Sequence, residues 1–212
     1  MKWEEFLQSV KGLAVIDTEN LLAGIVDQRA VKVQISRWIK AGKLVQLKRG
    51  MYILKEPYRR IEPFMPYIAS LLKSPSYVSL EKALEFHGLI PEAVRVYTCV
   101  TTKRPGYFES KAGRFSYQTI KKPLFWGYFS VTQNGQTGFM AEPEKALLDF
   151  FHLKRLEITP EYVYELRLQN TEIIRKTKLL AYARRFNKPK IIKTAQLVLN
   201  LINEERKAQK RL

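Results

Sequence analysis

The sequence predicts an α+β protein built in two parts. Segments with apolar residues at helical spacing alternate along the chain with short β-branched and aromatic runs that are typical of strands. The stretch over residues 56–66, EPYRRIEPFMP, holds three prolines and has little periodicity, so it indicates a linker. We therefore expect one domain over residues 1–58 and a second domain over residues 59–212.

The N-terminal part has the pattern of three helices followed by a hairpin. A first helix is predicted over residues 3–10, and a second helix begins near Asp17 or Thr18, either of which is a suitable N-cap. A third helix is predicted over residues 30–41 and ends at Gly42. Two apolar runs, KLVQL and MYIL, then flank the tripeptide KRG, which indicates two strands joined by a tight turn.

The two sides of the predicted third helix differ in character. The stripe that should face the core consists of Val31, Ile35, Trp38 and Ile39. The opposite side presents Val33, Gln34, Ser36, Arg37 and Lys40, with Gln34 at the border. Three helices and a hairpin in so short a stretch match a winged helix-turn-helix, in which the third helix enters the DNA major groove.

On this interpretation the polar side and the hairpin tip both contact DNA. Arg37 and Lys40 can meet bases or phosphates, and Val33 can touch a thymine methyl group. Lys48 and Arg49 place positive charge where a phosphate would lie. The alternative is a small three-helix domain whose outer face is solvated or contacts protein.

The charge balance narrows the class of partner. The 212 residues include 37 Lys and Arg but 20 Asp and Glu, so the net charge is +17 and favours polyanions such as DNA, RNA or an acidic protein. The single cysteine, Cys99, cannot form an internal disulfide, and this fits a reducing compartment. The first residues do not resemble a signal peptide, and no apolar run approaches a membrane span. We expect a cytoplasmic protein with no membrane partner.

The C-terminal part mixes strand and helix patterns. Strands are predicted at PSYVS, VRVYTCVTT, GRFSYQTI, WGYFSVTQ and TGFMA, with Asn134-Gly135 as a hairpin turn. Helices are predicted at YIASLLK, at SLEKALEFHG with Ser79 as N-cap and Gly88 as its end, and at EPEKALLDFFHLKRL. From Thr159 onward the pattern is helical and increasingly basic, and from Arg167 onward it holds thirteen cations and three acids.

Four motifs together resemble one protein family. In order, they are SRWIKAGKLVQLKRGMYIL, PSYVSLEKALEFHGLIPE, VTTKRPGYFESKAGRFSYQTIKKPLFWGY and AEPEKALLDF. This series, from about Asp17 to Leu156, is similar to the AbiEi family, the antitoxins of bacterial type IV toxin–antitoxin systems. The resemblance implies a winged helix that binds inverted repeats in its own promoter, as a monomer or a dimer, and represses the operon. It also implies a C-terminal antitoxin domain that counters a nucleotidyltransferase-like toxin. Some relatives bind or phosphorylate their toxins, and others are solitary regulators.

Candidate catalytic groups are few. His87 precedes the glycine that ends a helix, where contact with terminal carbonyls is the simpler role, and His152 lies among apolar residues. Glu142, Glu144 and Asp149 could bind a metal, but acids at a helix start also favour the helix dipole. No glycine-rich phosphate loop or kinase signature is present. The sequence therefore predicts no catalytic residue, no metal and no cofactor. The rival class is a nucleotidyl- or phosphotransferase or nuclease that acts on RNA or a toxin, and a third class is an interaction protein that caps an acidic partner.

A second basic surface is also predicted. The loop TTKRPGYFES pairs Lys103 and Arg104 with two aromatics, which suits a nucleic-acid surface as well as it suits a loop with core-anchored rings. The segment ARRFNKPK indicates a cationic loop between two helices. Its cations are Arg184, Arg185, Lys188 and Lys190.

Overall fold

The computed structural model of the chain describes residues 1–23, 27–154 and 156–209, with side chains to residue 204. It confirms the α+β class. Four of the thirteen tail cations, Arg206, Lys207, Lys210 and Arg211, lie outside the described side chains.

The N-terminal part has the predicted order of helices and hairpin. Its elements are α1 (Trp3–Val10), β1 (Ile16–Asp17), α2 (Thr18–Leu21), α3 (Gln28–Lys40), β2 (Leu44–Lys48) and β3 (Met51–Leu54). Asp17 caps α2 as predicted, because its side chain accepts a hydrogen bond from the Glu19 amide. Helix α3 begins earlier than predicted, since Asp27 accepts from the Ala30 amide and fixes its first turn. The two-residue strand β1 was not predicted, and it pairs with β3 to make an antiparallel sheet in the order β1-β3-β2.

The C-terminal part is a six-stranded mixed sheet with helices packed on it. Its first elements are α4 (Met65–Leu72), β4 (Ser76–Val78), α5 (Leu80–Phe86), β5 (Val96–Thr101), β6 (Gly106–Ser110) and β7 (Gly113–Thr119). They are followed by β8 (Tyr128–Gln133), β9 (Gln136–Ala141), α6 (Pro143–Leu153), α7 (Pro160–Glu165), α8 (Lys176–Phe186) and α9 (Pro189–Gln209). The strand order is β6-β7-β5-β4-β9-β8, with parallel pairs β5–β7 and β4–β9 and antiparallel pairs elsewhere.

Most of the predicted C-terminal elements are confirmed. Asn134 and Gly135 have φ angles of 50° and 73° and form the β8–β9 turn as predicted, because this turn needs positive φ at both positions. The sequence pattern predicts a loop at GYFES, but this segment forms strand β6. Helices α8 and α9 confirm that the basic tail is folded, with α8 packed against both α6 and α9. None of the described helices combines the length and hydropathy that a bilayer crossing requires.

The hairpin β2–β3 is a wall shared by two hydrophobic cores. Because side chains alternate along a strand, Leu44 and Leu54 lie in the N-terminal core with Trp38. Leu47 and Ile53 point the other way and lie in the core of the large sheet. The hairpin therefore contributes residues to both cores, and the predicted boundary near residue 58 stays a prediction.

Candidate nucleic-acid interface and a buried lysine–aspartate pair

Helix α3 has one buried side and one exposed side. Val31, Ile35 and Trp38 are buried in the N-terminal core, as predicted. The exposed side consists of Arg29, Lys32, Val33, Ser36, Arg37 and Lys40, and we call these residues the α3 face. Val33 is 45% exposed and lies among the cations of this side. Gln34 is half-buried, in agreement with its predicted place at the border.

Among the described residues, the cations of the α3 face have no acidic partner in an ion pair. Within the described part of the chain, no carboxylate oxygen lies within 4.0 Å of a side-chain nitrogen of Lys32, Arg37 or Lys40. Elsewhere the cations Arg59 and Lys178 each contact two glutamates. The α3 face therefore keeps its positive charge available for an anionic ligand.

The hairpin tip lies beside the α3 face. Lys32 and Arg49 line the same cleft of about 520 Å³, together with Thr18, Tyr52 and one acid, Glu19. Thr18 holds the tip in place, because its amide and its hydroxyl both donate to the Gly50 carbonyl, at 2.9 and 3.0 Å. Gly50 has a φ of 85°, which favours glycine. Lys32 was missed in the sequence, although it lies one helical turn before Ser36 and two before Lys40.

Lys48 is bonded to another helix of the chain. Its ammonium group donates to the carbonyls of Leu71 and Leu72 at 2.7 and 3.1 Å, so it binds the C-terminal end of α4. Unpaired carbonyls at a helix C-terminus attract cations. Partial burial lowers the pKa of Lys48, and Asp17 and Glu19 oppose this shift. This side chain therefore fastens the hairpin to the C-terminal part, and its predicted phosphate contact stays a prediction.

The predicted second basic surface divides into two groups with different neighbours. Lys103 lies close enough to Lys48 to act on its pKa, and the Arg104 carbonyl accepts from Lys73 at 3.1 Å. Lys103 and Arg104 therefore lie next to the hairpin. Lys188 and Lys190 instead act on His152, between α6 and the α8–α9 turn.

The α8–α9 group is partly used by the fold. The Arg185 guanidinium lies 4.2 Å from the ring centroid of Trp126, and Lys190 donates to the carbonyls of Lys154 and Leu156 just after α6. Arg184 and Lys188 are exposed. The aromatic Trp126 is buried and belongs to the core, whereas Tyr107 of strand β6 is 55% exposed.

A fully buried ion pair lies on helix α6. Lys145 and Asp149 are each 0% exposed and stand one helical turn apart. The Lys145 ammonium donates to one Asp149 oxygen and to the Tyr77 hydroxyl, at 2.9 Å for the hydroxyl. Tyr77 and Ser79 donate to the other Asp149 oxygen at 2.8 and 3.0 Å.

Aromatic rings complete the environment of this pair. The Lys145 nitrogen lies 4.9 Å from the ring centroids of both Trp126 and Phe186. Burial lowers the pKa of Lys145 and raises the pKa of Asp149, while the attraction between the two groups opposes both shifts. Ser79 occupies the N-cap position of α5 as predicted, but its hydroxyl is bonded to Asp149 and not to an amide of the helix.

The two glutamates at the start of α6 attach helix α8. Glu144 is 1% exposed and accepts from the Arg175 amide at 3.0 Å, and Lys178 contacts both Glu142 and Glu144. Burial would raise the pKa of Glu142, but hydrogen bonds from Lys178 and Tyr182 outweigh it and hold the pKa below its ordinary value. Among the described residues, no group of three His, Cys, Asp or Glu side chains is placed to hold a metal ion.

The remaining candidate groups have structural surroundings. His87 hydrogen-bonds the Ala141 carbonyl at 2.8 Å, not the terminal carbonyls of its own helix as predicted, and burial lowers its pKa. Burial also lowers the pKa of His152 to about 4. Cys99 is fully buried, and burial raises the pKa of its thiol.

The candidate nucleic-acid interface therefore consists of an exposed cationic helix face and the adjoining hairpin tip. The buried ion pair on α6 is a separate feature. In comparisons with known proteins, no family model matches the chain and no curated protein is significantly similar to it. The function is therefore inferred from the residues of the chain and their geometry.

Proposed function

We propose that the chain is a DNA-binding regulator of the winged helix-turn-helix type. Helix α3 enters the major groove with the α3 face against the base edges, and Arg49 contacts the DNA backbone from the hairpin tip. The observation that carries this proposal is the set of unpaired cations on the α3 face beside Arg49, across a cleft that Lys32 and Arg49 both line. A net charge of +17 supports the same class of ligand, because counterion release favours binding to DNA.

On this proposal the residues of this surface have different tasks. Arg37 and Lys40 are exposed on the same side as Val33, so bidentate contacts to guanine and an apolar contact to a thymine methyl group can be made together. Lys32 and Arg49 point into the cleft and suit phosphates, which position the protein without reading sequence. Lys48 has no part in this interface, since it is bonded to α4.

We further propose that residues 59–212 act as the antitoxin of a type IV system. This half of the proposal rests on the resemblance to the AbiEi family. Two of the motifs that carry the resemblance meet in the structure, because Tyr77 and Ser79 from PSYVS bond to Asp149 from AEPEKALLDF. The motifs thus form one structural unit, and co-expression with the product of the adjacent reading frame tests whether this unit relieves toxicity.

The DNA-binding half is tested by a gel-shift titration on the protein's own upstream DNA. The titration uses two salt concentrations and random DNA of equal length as competitor. We expect preferential binding to the upstream DNA at the higher salt. Arg37→Ala with Lys40→Ala should weaken this binding by about 1–3 kcal/mol for each base that the variant no longer recognises.

A matched control separates recognition of bases from a simple reduction in charge. Lys2→Ala with Lys11→Ala removes the same two charges from exposed positions at the two ends of α1. Helix α1 packs through Phe6 on Trp38, which lies on the buried side of α3. The control should bind upstream DNA like the wild type. If both double variants weaken binding equally, or if the wild type binds both DNAs equally, the α3 face would be a general polyanion-binding surface that does not read sequence.

A further inference from the structure

The two edge strands of the large sheet have different surroundings. Strand β6 forms one edge, and strand β2 of the hairpin packs against it. Strand β8 forms the other edge, and five of its six residues are exposed. Two of the exposed residues are aromatic. Tyr128 is 36% exposed and Phe129 is 39% exposed, on opposite faces of the strand. Edge β8 therefore presents unpaired backbone groups together with apolar rings.

Edge β8 also lacks the features that usually keep sheet edges apart. Charged residues, prolines and bulges are the common protections. Around β6 the chain places Lys103, Arg104, Pro105 and Glu109, whereas residues 127–141, GYFSVTQNGQTGFMA, contain no charged residue and no proline. The β8–β9 register runs without interruption from Tyr128–Ala141 to Gln133–Gln136.

We propose that β8 pairs antiparallel with β8 of a second copy of this chain, so that two sheets join into one across a two-fold axis. Every second residue of β8 directs its amide and carbonyl away from β9, and an identical strand can accept all of these groups. With the axis perpendicular to the sheet at Ser130, the two copies of Ser130 lie opposite each other, and Tyr128 of each copy lies opposite Thr132 of the other. Phe129 and Val131 face each other in the same way on the other face. This proposal does not depend on DNA binding.

Charge identifies the partner as a second copy. Two molecules that each carry +17 repel one another over most of their surfaces. The uncharged β8–β9 ribbon is a surface on which they can approach without placing like charges in contact. An acidic partner would find no cation on this edge to pair with, since none occurs over residues 127–141.

The test is the mass of the full-length chain in solution, measured by sedimentation over a wide range of protein concentrations. The wild type should move from 24.8 kDa towards twice that mass as concentration rises. Ser130→Lys places two ammonium groups beside each other across the two-fold axis, and it should weaken dimerisation roughly tenfold or more. Ser130 is exposed, so the variant should fold like the wild type, and a thermal unfolding curve checks this.

The matched control is Gln118→Lys. It adds the same charge at an exposed position of strand β7, which lies inside the same sheet and away from β8. It should dimerise like the wild type, and hydrogen exchange at β8 amides should slow with concentration in both proteins. A wild type that stays monomeric at every concentration overturns the proposal. So does a folded Ser130→Lys variant that dimerises as well as Gln118→Lys.

Discussion

Helices α3 and α6 both carry lysines with polar residues one turn away, but they use them in opposite ways. On α3, Lys32 is followed by Ser36 and then Lys40, and both lysines are exposed. On α6, Lys145 is followed four residues later by Asp149, and both side chains are fully buried. The acid at the fourth position allows burial of the α6 lysine. On α3, Ser36 stands in that position after Lys32, and Lys32 and Lys40 stay exposed.

The physical reason for the difference is the cost of desolvation. Moving a charge out of water costs several kcal/mol, and a partner with good geometry offsets this cost only when the remaining lone pairs are satisfied. Asp149 meets this requirement, because Lys145, Tyr77 and Ser79 all donate to it. On α3 the same cost is avoided, since the cations remain exposed to water.

The largest effect should come from breaking the buried pair. Asp149→Ala leaves the Lys145 ammonium and the Tyr77 hydroxyl without their acceptor, so the free energy of unfolding should fall by about 3–5 kcal/mol. Urea titration followed by circular dichroism measures this decrease. Lys145→Met with Asp149→Leu removes both charges, and this double variant should be less destabilised than Asp149→Ala. If the double variant has a lower free energy of unfolding than Asp149→Ala, the ion pair contributes net stability to the fold.

The next largest effect should come from Lys48. This cation is bonded within the fold, unlike the exposed cations of the α3 face. Lys48→Met removes two charged hydrogen bonds to the end of α4, at a cost of about 1–3 kcal/mol in unfolding free energy. Specific DNA binding should persist in the folded variant. Arg49→Ala is the matched control, because it should weaken DNA binding and leave stability nearly unchanged. A Lys48→Met variant that is fully stable but binds DNA poorly would show that Lys48 contacts phosphate after all.

Lys48 also shows where prediction from the sequence ends. The third helix, its buried stripe, the hairpin and the β8–β9 turn could be predicted, because local periodicity and turn chemistry determine them. The partner of Lys48 could not, because Leu71 and Leu72 lie more than twenty residues along the chain and only the packing of two cores brings them together. The burial of Lys145 was missed for the same reason, since Tyr77 and Ser79 come from a distant part of the chain.

A smaller effect should be the pH dependence of the free energy of unfolding that His152 causes. Burial against Phe186, followed by the charges of Lys188, Lys145, Lys190 and Lys121, lowers the pKa of His152 to about 4. A histidine whose folded pKa is depressed binds fewer protons than in the unfolded chain, so stability falls as pH drops from about 6.5 towards 4. Between pH 7 and pH 5 the decrease from this group should be about 1–2 kcal/mol, after a discount for its partial exposure.

Urea titrations at the two pH values measure this decrease. His152→Gln cannot titrate and should show a smaller fall, and the remaining fall should include His87, whose pKa is also lowered by burial. An identical pH dependence in His152→Gln and the wild type would show that His152 titrates normally in the folded chain.

The smallest effect should be the salt dependence of Lys32, and it bears most directly on the α3 face. If Lys32 contacts one phosphate across the cleft from Arg49, Lys32→Ala should lower the slope of log K against log salt by about 0.9, with little change in preference between DNA sequences. If Arg37 reads a base, Arg37→Ala should instead reduce the preference for upstream DNA over random DNA. Lys11→Ala at the end of α1 removes one equal charge and should leave the slope unchanged. Equal slopes for Lys32→Ala and Lys11→Ala would place Lys32 outside the interface, and the DNA would then lie along Arg37 and Lys40 without reaching the hairpin cleft.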